Sequence, residues 1–132
     1  MARVLVVDDD PDTVRIVSFR LQAKGHRVIG ATSPEEALEA VAARGRPDVV
    51  VLDVSMPGMS GLDLLAELRA QDGLDTLPAI FLSARVLPAE IAAGRALGAS
   101  YLTKPFIASA LLQAIDEAIV PAVEPGNPST GW

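Results

Sequence analysis

The chain has no cysteine, which rules out disulfides and thiolate metal sites. It has no apolar run long enough to span a bilayer and no charged-then-apolar opening segment, so neither a membrane anchor nor a secretory leader is expected. Basic residues are in deficit: the formal net charge is -6, the wrong sign for a nucleic-acid surface. Internal repeats and low-complexity blocks are missing as well. Of 132 residues, 50% are hydrophobic and 21% charged. Such a composition reads as an acidic, soluble, cytoplasmic domain with one substantial core.

What is present is organised around residues 48–61. Four apolar residues, Val49 to Leu52, run directly into Asp53, and Pro57, Gly58 and Gly61 follow. A β-branched run bounded by turn signals reads as a strand buried on both faces of a parallel sheet. Asp53 then stands at the carboxyl end of that strand, the edge where open α/β sheets place ligands. Four more strands are readable. Residues 4–7 end in Asp8, Asp9 and Asp10; residues 26–30 are more polar and suit an edge; residues 79–82 end at Ser83; residues 100–103 run into Lys104, Pro105 and Phe106.

Helical signals fill the intervals. Asp10 and Pro11 form an N-cap with proline at the first helical position, Val14, Val17 and Leu21 recur at helical spacing, and Gly25 closes. Ser33 to Glu36 is a capping box, with Ala37, Leu38 and Val41 facing inward and Gly45 closing. Leu62, Leu65 and Leu68 mark a third helix. Pro88 opens a fourth, carrying Ile91 and Leu97 and stopping at Gly98. Leu111, Leu112, Ile115 and Ile119 share one face of a fifth. Five strands alternating with five helices predict βαβ units, a parallel sheet covered on both faces, and right-handed crossovers. From Pro121 onward proline and glycine break the pattern, so residues 1–120 are read as the domain and 121–132 as a frayed tail carrying Trp132.

The polar residues that interrupt this pattern all fall on one sheet edge: Asp8 and Asp9 after the first strand, Asp53 ending the third, Ser83 after the fourth, Lys104 after the fifth. Clustered carboxylates repel unless a cation offsets them. A hard divalent ion with oxygen ligands answers that need, and Mg²⁺ suits few carboxylates with retained waters. No histidine or cysteine is placed for zinc. Carboxylate, Mg²⁺, lysine and hydroxyl together make a phosphoryl-transfer site with a carboxylate nucleophile. Neither a P-loop nor a kinase-type glycine-rich loop is present, so the donor is expected to be a partner protein or a small activated phosphate rather than ATP.

Four stretches carry a resemblance: the acidic pair closing residues 5–9; residues 52–61, Leu-Asp-Val-Ser-Met-Pro-Gly-Met-Ser-Gly; Ser83-Ala84; and Lys104-Pro-Phe106. In these the chain closely resembles the receiver domain of two-component response regulators, of the chemotaxis-regulator-like single-domain type, from Ala2 to about Ile119. The resemblance implies a flavodoxin-like (βα)5 fold, a doubly wound three-layer α/β/α domain with strand order 2-1-3-4-5. It implies that Asp53 accepts phosphate from a histidine kinase or phosphotransfer protein. Asp9, Asp53 and the backbone carbonyl of Ser55 would bind Mg²⁺ directly, and Asp8 through water. Lys104 would pair with the acyl phosphate and Ser83 would close on a phosphate oxygen. Tyr101 takes the aromatic switch position, Lys104-Pro105 is expected to be cis, and Ser55 and Arg85 occupy positions that tune phosphate lifetime. Such a domain catalyses only its own phosphorylation and dephosphorylation.

The output expected by resemblance is a changed partner preference on the face of the fourth helix, fifth strand and fifth helix, with the partner itself unknown. Residues after 119 hold no DNA-binding domain, and the Met1 start favours a stand-alone receiver, monomeric or weakly dimeric. The fourth helix carries only Glu90 and Arg95 as charges, and residues 107–115 carry none, which suggests docking through small apolar contacts. Gly94 lowers helix propensity by about 1 kcal/mol relative to alanine and is read as loosening this helix. Three rival readings stand beside this one. A Mg²⁺-dependent aspartyl-phosphate hydrolase would want a second aspartate where Ser55 stands. A flavin module would find its phosphate repelled by Asp8, Asp9 and Asp10. A phosphorylation-independent scaffold would have lost one of the five site residues.

Overall fold

A computed structural model describes residues 2–71, 73–84 and 88–119 of the chain. The tail expected over 121–132 and the position of Arg85 lie outside the described residues. The order of elements is β1 (Arg3–Val7), α1 (Pro11–Ala23), β2 (Arg27–Ala31), α2 (Pro34–Arg44), β3 (Val49–Asp53), α3 (Gly61–Arg69), β4 (Ala79–Ser83), α4 (Pro88–Ala96), β5 (Ser100–Thr103) and α5 (Ala108–Ile119). All strand pairs are parallel, in the order β2-β1-β3-β4-β5. This is the (βα)5 flavodoxin-like arrangement.

The apolar runs explain the order. Every residue of β1, β3 and β4 is buried, as strands covered by helices on both faces must be. The more polar β2 and β5 take the edges. Alternate side chains feed two cores. Val4, Val6, Val49, Val51, Ile80 and Leu82 pack with Val17 and Leu21 of α1 and Leu111 and Ile115 of α5. Leu5, Val7, Val50, Leu52 and Phe81 pack with Ala37 and Val41 of α2 and Leu64, Leu65 and Leu68 of α3. In α3 the third inward leucine is thus Leu64, with Leu62 at the margin of the core.

The caps form locally. Asp10 accepts from the Asp12 N–H and Ser33 from the Glu36 N–H. The return half of the second cap is displaced by one residue, for Glu36 accepts from the backbone N–H and hydroxyl of Thr32 rather than from Ser33. Ser60 caps α3 by accepting from the Asp63 N–H.

The amino-terminal edge of the sheet is held by polar contacts. Asp48 accepts from the Arg3 backbone N–H at 2.9 Å, its Nε at 3.0 Å and its Nη2 at 2.7 Å. Burial alone would raise the Asp48 carboxyl, but the Arg3 hydrogen bonds outweigh it and hold the group below its ordinary value. Arg69, at the end of α3, donates to the Leu77 carbonyl through Nε and Nη2 and to the Leu97 carbonyl through Nη1. His26, buried, accepts from the Ala2 N–H through Nδ1. Among the described residues no helix is long and apolar enough to cross a membrane.

Removing one member of a buried ion pair strands the other charge. Asp48→Asn is therefore expected to lower the unfolding free energy by about 3 kcal/mol, measured by urea denaturation at pH 7. As the folded carboxyl lies below its unfolded value, the pair's contribution is complete above about pH 4 and is lost as the pH falls further.

Candidate functional site

Parallel register gathers the polar ends of the strands. Val7 is aligned with Leu52, so Asp8 emerges beside Asp53, and Ser83 is aligned with Thr103 next to Lys104. The Lys104 N–H donates to the Ser83 carbonyl at 2.7 Å, fixing the end of β5 against β4. The Lys104-Pro105 peptide is cis.

Asp8, Asp9 and Asp53 each offer a carboxylate oxygen, and the three oxygens lie within 4.8 Å of one another. Asp8 has no solvent exposure and Asp53 almost none, whereas Asp9 faces solvent. Lys104 Nζ donates to Asp8 Oδ2 at 2.7 Å and stands 3.6 Å from Asp53 Oδ1. The other oxygen of Asp8 accepts from the Asp10 N–H at 3.0 Å. The Ser55 N–H donates to Asp53 Oδ1 at 3.4 Å.

The electrostatics follow from this packing. Burial raises the Asp53 carboxyl, Asp8 raises it further, and Lys104 pulls it back only in part, so it is pushed up to about 6. Burial would lower the Lys104 ammonium, but the hydrogen bond to Asp8 and the charge of Asp53 prevail and hold it above its ordinary value. Lys104 thus offsets Asp8 and Asp53, while Asp9 adds a third carboxylate beside them. Such a donor set, all oxygen and partly open through Asp9, fits a hard divalent cation.

Ser83 is buried at the end of β4. Ser55 is exposed in the turn after β3. Tyr101 lies one strand away, its ring packed on Phe81 with centroids 5.2 Å apart. In the sequence Gly61 stands only as a turn signal after the central strand and as the last residue of a motif. A Cβ there would stand 3.1 Å from the Asp53 carbonyl carbon and 3.2 Å from Val54 Cα, so glycine lets α3 begin directly against the backbone of Asp53. The signal was available in the helix start itself, where glycine follows the Ser60 cap although alanine favours a helix more.

A carboxyl raised by folding binds a proton that the unfolded chain releases, so metal-free protein gains stability as the pH falls from about 6 toward the ordinary carboxylate value. Asp53→Asn removes that penalty. In metal-free buffer at pH 7 the variant is expected to be more stable than the parent by about 3 kcal/mol. The gap should close by about pH 4 and should narrow at pH 7 when millimolar Mg²⁺ stabilises the parent alone; urea midpoints measure both effects.

Residues 4–116 match the family described as "Response regulator receiver domain". The chain is 44% identical over 107 residues to the transcriptional regulatory protein KdpE of Mycobacterium tuberculosis, a match covering 80% of this chain and 46% of that protein. It thus spans about half the length of that relative. Among solved structures, the chemotaxis protein CheY4 of Vibrio cholerae superposes with a TM-score of 0.83 at 34% identity, covering 89% of this chain and 98% of that one. The receiver domain of the Francisella response regulator 1452 superposes at 0.82 with 30% identity, covering 93% and 100%. An oxygen-ligand cluster at the carboxyl edge of a 2-1-3-4-5 sheet, on a chain that matches the family over most of its length, is a phospho-accepting switch. The chain belongs to the response regulator receiver domain family.

Proposed function

We propose that Asp53 is the phosphoacceptor, taking a phosphoryl group from the phosphohistidine of a histidine kinase or phosphotransfer protein in a Mg²⁺-dependent reaction. The observation that carries this reading is the crowding of Asp8, Asp9 and Asp53 within 4.8 Å with Lys104 bonded to one of them and close to another. An Asp53 oxygen attacks phosphorus, the P–N bond to the donor imidazole breaks, and the imidazole leaves with the bonding pair and is then protonated from solvent. Asp9, Asp53 and the carbonyl of Ser55 would hold Mg²⁺, which supplies positive charge against the carboxylates and the phosphoryl oxygens. Both oxygens of Asp8 already accept hydrogen bonds, which favours its acting through water. Lys104 moves from Asp8 and Asp53 to pairing with the acyl phosphate, and the Ser83 hydroxyl donates to a phosphate oxygen. Ser55 and Arg85 adjust the lifetime of the adduct.

Residues 1–120 form the switch and 121–132 a tail, acting in the cytoplasm as a monomer or weak dimer. Tyr101 links the state of Asp53 to the surface of α4, β5 and α5, where an output protein docks. The donor approaches over α1. Its start at Asp10 and Pro11 borders the site, and Ile16 and Phe19, 57% and 66% exposed, are unusual large apolar groups to leave in water on one helix.

Intact mass after incubation with acetyl phosphate and Mg²⁺ tests the chemistry. One labile phosphoryl adduct is expected, absent in Asp53→Asn and in EDTA. Failure to form an adduct, and failure of beryllofluoride with Mg²⁺ to bind, would leave a phosphorylation-independent scaffold. Phe19→Ser is expected to slow transfer from a phosphohistidine protein donor about tenfold while acetyl phosphate labels it at the parental rate. Equal rates from the protein donor would remove α1 from the docking surface.

A further inference from the structure

The end of α4 is fastened by a double closure. The Ala99 N–H donates to the Gly94 carbonyl at 2.8 Å and the Gly98 N–H to the Arg95 carbonyl at 3.0 Å, with Gly98 in the left-handed region at φ 69°. This is the Schellman arrangement, and Arg69 adds a bond to the Leu97 carbonyl from α3. The closure fixes where β5 begins relative to Gly94. Two residues into that strand, Tyr101 sends its ring back over the helix.

The ring lies against Gly94. A Cβ built there would stand 2.9 Å from Tyr101 Cδ2 and 3.0 Å from Cζ, and closer still to Cε2. Side-chain carbons do not approach one another that closely. Phe81 packs on the same ring, and the Tyr101 hydroxyl oxygen is buried. Glycine is a poor residue inside a helix, and the sequence alone suggests that it loosens α4. The structure gives it a different part: the space of the missing side chain is occupied.

We propose that Gly94 is the positioning residue of the switch, its missing side chain forming the slot that admits the Tyr101 ring to the interior. Any larger residue at 94 displaces the ring toward solvent. Tyr101 also forms one wall of a shallow groove with Ile91, Arg95, Ser100 and Thr103, so the contents of the slot set the shape of the α4–β5 surface. This consequence rests on the phosphoacceptor reading; the slot itself does not.

The chain has a single tyrosine, so 3-fluorotyrosine labelling yields one fluorine resonance for the ring. In the parent it is expected well away from its position in urea-unfolded protein and little relaxed by a soluble paramagnetic agent. In Gly94→Ala it should move toward the unfolded position, with several-fold stronger paramagnetic relaxation. Urea midpoints of Gly94→Ala, Tyr101→Ala and the double variant complete the test. With the ring removed only helix propensity acts, and alanine at 94 should raise the midpoint; with the ring present it should lower it. Should Gly94→Ala fail to fold, recovery of folding in the double variant supports the slot. An unmoved resonance, an equal midpoint shift in both backgrounds, or a double variant that also fails to fold overturns it. None of these readouts needs a phosphoryl donor, so this experiment and the adduct experiment fail independently.

Discussion

Repulsion among carboxylates at the end of a rigid sheet is the constraint on which the rest of this molecule depends. Two like charges about 4 Å apart repel by about 4 kcal/mol at the effective dielectric of a protein surface, and three oxygens here lie within 4.8 Å. A flexible loop would relieve this by opening. The strands that carry Asp8 and Asp53 cannot, because β1 and β3 are buried along their whole length and paired in register. Lys104 offsets part of the charge, while burial first and the neighbouring Asp8 second hold the Asp53 carboxyl up to about 6. The site is thus held in a state that binding a cation relieves, which is what a charge-operated switch needs.

Much of this is legible in the amino-acid sequence. Buried parallel strands must be continuously apolar, so the runs before Asp8, Asp53 and Ser83 announce both the strands and the edge on which their polar successors gather. Helix starts are written in local chemistry, and Asp10, Ser33 and Pro11 read correctly because a cap is satisfied within three residues of itself. What escaped depends on separations that only register and crossing geometry determine. Arg3 meets Asp48 across 45 residues, and Arg69 reaches Leu97 from the neighbouring helix. Gly94 shows the limit most plainly. Its propensity is local and readable, but its neighbour, Tyr101, arrives from the next strand.

The same geometry separates the polar contacts of the fold into two groups. Arg3–Asp48, His26 and the carbonyl bonds of Arg69 stand at the amino-terminal edge of the sheet. Asp8, Asp9, Asp53, Ser83 and Lys104 stand at the opposite one. Five-residue strands rising about 3.3 Å per residue put some 16 Å between them. Free-energy changes at sites so far apart, with no shared partner, add. A substitution at the reactive edge and one at the other edge therefore shift the folding free energy independently. Both ends of the same five strands bear on stability, each through its own chemistry and neither through the other.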